Sequence, residues 1–233
     1  MRLNKFLSRC GLDSRRNCDK LIENKKILVN GKIVVDFSYQ VKNDDIVTYG
    51  NRCLEIDDKS VVYILNKPKG YICTSRDPHH RAKVIDLINV DTRLFTIGRL
   101  DRDTTGIILL TNDGDIANKL AHPKFQKEKK YFVKSKGKID SKNLRLIKDG
   151  IILNDGLKVK ANIKLLSSIK NIFEWKVVLT EGKNREIKRI FSNYECKVTL
   201  IHRYAFCGLE LNNLKIGKYK KLPLKVINNM LNK

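Results

Sequence analysis

The chain has 233 residues, enough for one large domain or a medium domain plus a small one, and long enough to bury a sizeable core. With 42% hydrophobic and 31% charged residues it reads as globular, which excludes a disordered chain. The 48 Lys+Arg against 25 Asp+Glu leave a net charge of +23 and call for a polyanionic partner, most simply nucleic acid. AT-rich coding, with Lys, Asn and Ile abundant, accounts for part of the Lys count but not for the placement of Arg.

Six cysteines, Cys10, Cys18, Cys53, Cys73, Cys196 and Cys207, show neither a CxxC nor a zinc-ligand spacing, as expected of reduced thiols. Met1 is followed by the charged Arg2 and Lys5, and no apolar stretch is long enough for a signal peptide or a membrane span. The expected address is the cytoplasm, with no membrane partner.

Leu3, Phe6 and Leu7 mark a short amphipathic helix ended by Gly11, and a second helix is predicted over 14–24, capped by Ser14 or Asp13. An Asn30-Gly31 turn between two apolar runs is a strong hairpin signal, and a further strand is expected over 46–49. Arg15 and Arg16 stand in the first turn of the second helix, where the macrodipole disfavours cations by a few tenths of a kcal/mol, roughly. An external anion would explain them. Residues 1–35 carry nine basic and three acidic side chains, whereas 36–60 carry three and six. The polar, acidic stretch 51–59 reads as a linker.

Beyond it, a buried strand over 61–65 stops at Lys67-Pro68-Lys69-Gly70. The adjacent His79 and His80 are no metal site, since neighbouring loop residues rarely share one ion and no Cys or carboxylate spacing completes a ligand set. A short helix or strand over 84–88 leads to Gly98-Arg99-Leu100-Asp101-Arg102-Asp103-Thr104-Thr105-Gly106. Two readings of this loop stand on the residues alone. The acids neutralise Arg99 and Arg102 on a solvated surface, or a carboxylate is presented at the mouth of the apolar strand 107–110.

Helices are expected over 115–121 and 141–147, and strands over 130–134, 157–166 and 174–180. A basic amphipathic helix opens at Glu181, with Ile187, Ile190, Phe191 and Tyr194 on one face and Arg185, Lys188 and Arg189 on another. A strand carrying His202 and Arg203 follows over 196–206. Strands and helices mix without regular βαβ alternation, which predicts an α+β fold on a mostly antiparallel sheet.

Arg2-Leu3-Asn4-Lys5-Phe6-Leu7, Ser14-Arg15-Arg16 and Val29-Asn30-Gly31-Lys32 resemble the small RNA-binding domain first described in ribosomal small-subunit protein S-four. Leu65-Asn66-Lys67-Pro68-Lys69-Gly70, Gly98-Arg99-Leu100-Asp101, Leu110-Thr111-Asn112-Asp113-Gly114, His122-Pro123, Glu128-Lys129-Lys130-Tyr131 and the run from Glu181 to Arg189 resemble the RsuA/RluB-type ribosomal RNA pseudouridine synthases. The resemblance implies a small α/β RNA-binding module with its linker, 1–59, followed by a catalytic domain, 60–233, on a mostly antiparallel mixed sheet.

It also implies isomerisation of a uridine within ribosomal RNA by a monomer that needs no cofactor. In that family the Asp matching Asp101 is the nucleophile. The Tyr matching Tyr131 stacks on the base and can assist proton removal, and the basic residue matching Lys188 pairs with the Asp. Attack at the sugar, addition to the base and elimination to a glycal all use a carboxylate, and the three routes stay open. Many relatives carry Arg where Lys188 stands and Gln where Glu186 stands. Arg15, Arg16, Lys32, Arg99, Arg102, Arg185 and Arg189 are the expected RNA contacts. Asp77-Pro78-His79-His80-Arg81 and Asn184-Arg185-Glu186-Ile187 look more like the large-subunit enzymes. A non-catalytic RNA-binding or assembly factor that kept the fold is the alternative.

Overall fold

Two short helices, α1 (Leu3–Arg9) and α2 (Arg15–Glu23), turn their apolar stripes onto a small antiparallel sheet in the first unit of the chain. The structure, a computed structural model, describes residues 1–56, 59–75 and 77–232. Asp57 and Asp58 of the expected linker, and Arg76 ahead of the His pair, lie outside the described residues.

Ser14 caps α2 by accepting the Asn17 N–H at 3.3 Å, which satisfies one of the free donors of the first turn. Strands β1 (Ile27–Val29) and β2 (Lys32–Ile33) are joined by Asn30 and Gly31, at φ +52° and +77°. Positive φ at both central residues is what a type I′ hairpin demands. Then β3 (Val47–Tyr49) pairs with β1, and β4 (Arg52–Cys53) extends the sheet to the order β2-β1-β3-β4. The core holds Leu3, Leu7, Cys18, Ile22, Ile27, Val29, Val47 and Leu54. The stretch expected as linker therefore begins inside the module: β4 pairs with β3 and Leu54 is buried. This unit comprises Met1–Val61 together with Val90–Arg93 and Asn112–Gly114.

The second unit begins with β5 (Val62–Lys67), β6 (Phe95–Ile97) and β7 (Thr105–Thr111), then α3 (Gly114–Ala121) and β8 (Lys129–Lys136). Next come α4 (Ser141–Asp149), a small hairpin of β9 (Ile151–Ile152) and β10 (Lys158–Val159), and the long hairpin of β11 (Asn162–Ile169) and β12 (Ile172–Leu179). The chain ends with α5 (Glu186–Ser192), β13 (Lys197–Phe206), β14 (Leu209–Glu210), β15 (Tyr219–Lys221) and α6 (Leu224–Asn232). The main sheet runs β11-β12-β8-β13-β7-β5-β15, with β6 on β7 and β14 on β13. Every pairing is antiparallel except β13 with β7, so the sheet is mixed and mostly antiparallel.

Val62, Ile64, Ile107, Leu109, Phe206, Ile227 and Met230 form the core between sheet and helices. Trp175 is fully buried; its indole N–H donates to Ser135 Oγ at 2.9 Å, and its ring meets Phe191 of α5 edge-on at 5.7 Å. That contact seats α5 on the sheet.

Residues 84–87 form a short 3-10 helix, one of the two forms expected over 84–88. Two expected elements come out differently. The expected strands over 157–166 and 174–180 are displaced, because Lys170 and Asn171 both take left-handed φ (+47° and +61°) and make the hairpin turn there. The helix expected from Glu181 starts only at Glu186, with Arg185 left-handed at φ +50°. Arg185 is thus the N-cap and not part of the helix that carries Lys188 and Arg189.

Candidate active site

The loop 98–104 hangs between β6 and β7 at the edge of a cleft of about 280 Å³. Its position follows from what lies beneath it. Lys67, at the end of β5, is fully buried, and its ammonium donates to three carbonyls, Pro68 O at 3.0 Å, Arg102 O at 3.3 Å and Thr104 O at 2.8 Å. Burial pushes its pKa down, while Cys73, Asp103 and Asp101 pull it back up. The loop is further tied by Gly70 N–H to Arg102 O at 2.7 Å and by Leu100 N–H to Cys73 Sγ at 3.4 Å.

The loop leads into Gly106 of β7, which lies beside Arg203 in the parallel β7–β13 pair. A Cβ on Gly106 would fall inside 3.0 Å of three backbone atoms of Arg203, so this approach of strands requires glycine. The Arg203 side chain is buried between β7 and β8; its Nε donates to Ile107 O at 2.8 Å and its guanidinium lies 4.6 Å from the Phe206 ring. Its Nη2 has no hydrogen-bond partner among the described residues.

Asp101, Tyr131 and Lys188, from the loop, β8 and α5, all line this one cleft. Arg99 and Arg185 line it as well. The Lys188 ammonium makes its short contact to Asp103, at 2.5 Å, and stands 4.0 Å from Asp101. Burial pushes the Asp103 carboxyl up, but the Lys188 hydrogen bond and the charges of Lys188 and Arg185 bring it below the ordinary carboxylate value. Tyr131 is 7% exposed and sits opposite Arg203 in the β8–β13 register, so its ring is a wall of the cleft.

The inner wall carries charges that patterning did not single out. Glu186, 4% exposed, accepts the Lys183 N–H at 2.9 Å. Burial raises its pKa against the opposing pull of that hydrogen bond and of Lys183. Lys129 is buried with its ammonium on Lys127 O and Thr180 O, and burial lowers its pKa. No pattern marks Lys129 or Arg203, whose strands carry other polar side chains, or Lys67, which stands at the end of β5 just before Pro68.

The remaining expected RNA contacts are placed elsewhere. Arg102 is exposed with its Nε on Gly70 O at 3.3 Å, and Arg189 is engaged by Asp155 at 2.6 Å. Neither lines the cleft. Arg15, Arg16 and Lys32 are exposed on the first unit, with Arg15 Nη2 donating to Asn4 Oδ1 at 3.3 Å. Among the described residues no cluster of three or more His, Cys, Asp or Glu could hold a metal ion, and no helix is long and apolar enough to cross a membrane.

A carboxylate with an ammonium beside it, facing an aromatic ring in a cleft the size of a nucleobase site, suits chemistry on one extruded base. Comparison with known proteins agrees. Residues 61–193 match the RNA pseudouridylate synthase family and residues 1–47 the S4 domain. The chain is 37% identical to the ribosomal large subunit pseudouridine synthase B of Bacillus subtilis, over 95% of this chain and 91% of that one. It is 36% identical to the protein of the same name from Buchnera aphidicola, over 99% and 96%. A crystal structure of a pseudouridylate synthase superposes with a TM-score of 0.69 at 28% identity, covering 99% of both chains. The chain belongs to the RNA pseudouridylate synthase family, as a member of its RsuA/RluB type with an S4 domain at the N-terminus.

Proposed function

We propose that this chain converts a single uridine of large-subunit ribosomal RNA to pseudouridine, with Asp101 as the nucleophile. The observation that carries the reading is the convergence of Asp101, Tyr131 and Lys188 on one cleft from three separate elements. The large-subunit target is supported by the two relatives named for it. The isomerisation breaks the N1–C1′ bond and forms C5–C1′; the proton leaving C5 goes to solvent and one is taken up at N1. The step is redox-neutral and calls on no cofactor.

In this reading Tyr131 offers the face on which the extruded uracil stacks, and its hydroxyl reaches the base edge. Lys188 is the counter-charge beside the nucleophile as substrate closes the cleft and excludes water. Arg99 and Arg185, at the rim, hold the phosphates that flank the target, while Arg102 and Arg189 contact RNA further out. The module 1–59 docks on ribosomal RNA through Arg15, Arg16 and Lys32, and the domain 60–233 performs the chemistry. The protein works as a cytoplasmic monomer.

Tritium release from ribosomal RNA labelled at uridine C5 tests the reaction. Release by the wild type and none by Asp101→Ala, with RNA affinity kept within a few fold, is the expected pair of results. No release from any ribosomal RNA would leave a binding factor that kept the fold. Carbodiimide mapping of both ribosomal RNAs, with and without the gene, tests the target. Loss of a small-subunit pseudouridine alone would overturn the large-subunit assignment.

A further inference from the structure

The strands β11, β12, β8 and β13 bury one face of the sheet, where Ile163, Trp175, Val133 and Ile201 are 0–7% exposed. The other face is uncovered, and the strand register maps it. One row across it reads Lys164, Lys176, Phe132, His202, and the next Ser167, Glu174, Lys134, Leu200. The row at the far end closes with Lys136 opposite Lys197. Lys136, Lys164, Lys176 and Lys197 are exposed and form no ion pair among the described residues. Lys134 is paired with Glu174 at 2.8 Å, and Lys130 with Glu128 at 3.4 Å.

Two of these contacts are unfavourable as they stand. Lys164 lies directly opposite Lys176, and Lys197 directly opposite Lys136. Like charges directly opposite each other destabilise a sheet, and here two such pairs share one open face on which the acids Glu128 and Glu174 are already engaged by Lys130 and Lys134. A polyanion laid over the face would turn both repulsions into binding. Successive rows lie roughly 7 Å apart along the strands, and the surface is flat, so it fits a phosphate backbone better than a base. Phe132 is half-buried beneath the Lys134 ammonium, 5.6 Å away, and is not free to stack on a base.

We infer that this lysine-covered sheet face is a second RNA-docking surface, which grips the backbone of a ribosomal RNA helix away from the catalytic cleft. The inference rests on RNA as the substrate, and it adds a contact that neither the cleft nor the S4 module supplies. Its cost is a sheet less stable than it could be, a trade that a merely solvated surface has no reason to keep.

The test uses the full chain. Lys164→Thr/Lys176→Thr removes one opposed pair, and Lys215→Thr/Lys218→Thr removes the same charge from exposed positions just ahead of β15, at the opposite edge of the sheet. Binding of a large-subunit ribosomal RNA transcript is measured against salt, beside tritium release from the same transcript and the thermal midpoint. The sheet variant should bind roughly three- to tenfold more weakly, with a salt slope lower by about two, and should melt no lower than the wild type. The control should shift the slope by less.

An unchanged slope, or an equal drop in the control, overturns the docking surface and leaves a general field or an acidic protein partner in its place. Should the Thr pair unfold, Lys136→Gln/Lys197→Gln removes the other opposed pair and is read against the same outcomes. Wild-type tritium release reports on the substrate independently of the slopes, so failure of the RNA reading and failure of the second surface are told apart.

Discussion

Lys188 is held by Asp103, 2.5 Å away, and stands 4.0 Å from Asp101. The carboxylate proposed as nucleophile is therefore the outer partner of its own counter-ion. Asp103 is half exposed, and ion pairs of that kind net only about 0–1 kcal/mol, so RNA arriving at the cleft can redistribute the ammonium between the two acids. Asp103→Ala should keep measurable activity, within about tenfold of wild type in kcat/KM. With its nearer acceptor gone, the Lys188 ammonium can close on Asp101. Lys188→Met, which takes the counter-ion from both acids, should cost more in kcat/KM than Asp103→Ala. If Asp103→Ala is dead at every pH, Asp103 is itself part of the chemistry.

The Lys67 ammonium joins β5 to the loop that carries Asp101, through two loop carbonyls and Pro68 O. Lys67→Met fills the same volume but takes the ammonium from Pro68 O and Thr104 O and leaves Arg102 O with the Gly70 N–H alone, a loss of roughly 2–4 kcal/mol. Urea unfolding should register that loss, and kcat should fall by more than RNA affinity, because the loop rather than the surface is disturbed. Equal losses in kcat and affinity would mean that Lys67 serves the whole domain and not the loop.

Much of this was legible in the residues. The Asn30-Gly31 hairpin, the Ser14 cap and the strand ending at Phe206 lie where local pattern puts them, since each depends on short-range chemistry. What was not legible depends on contacts across the sheet. Lys67 reads as part of the stop after the strand 61–65, and Arg203 as one polar residue of the strand 196–206, until β5, β7 and β13 are aligned. Arg185 looked helical because its spacing to Lys188 is right; a left-handed φ ahead of the first turn leaves no mark in periodicity. Asp103 and Asp101 are two residues apart in one loop, and only α5, arriving from 85 positions later, makes them unequal. Beyond Phe206, β14 and β15 are two and three residues long, too short to show a period, whereas α6 carries Val226, Ile227, Met230 and Leu231 at helical spacing.

Glu186 is a buried carboxyl whose pKa is raised in the folded chain. A raised acid binds its proton more tightly when folded, so its burden is absent below the ordinary Glu value. It grows as pH rises from there to the folded value, and is complete above it. Glu186→Gln keeps an oxygen to accept the Lys183 N–H and removes the charge. Thermal midpoints measured across the acid range should show the variant level with wild type near pH 4 and more stable toward neutrality, by a few tenths to about 1 kcal/mol. Turnover should stay within a few fold. A variant less stable at neutral pH would show that Glu186 is held as a needed counter-charge to Lys129 and Lys183.

Gly106 follows the loop of Asp101 with φ +108° and lies against the Arg203 backbone. The added methyl of Gly106→Ala would meet backbone atoms of a central strand, which no rotamer change can clear, and the positive φ adds strain of its own. The two strands must part, and with them the parallel pairing of His202 with Thr105 and Arg203 with Gly106. Both walls of the cleft depend on that pairing, since Asp101 stands ahead of β7 and Arg203 lies on β13. The expected result is a loss of about 3 kcal/mol or more in urea unfolding, together with loss of turnover even in the fraction that folds. Gly114→Ala, with open space around its Cβ, is the matched control and should change neither by much. Wild-type stability in Gly106→Ala would mean that β7 and β13 are not packed as closely as Gly106 and Arg203 indicate.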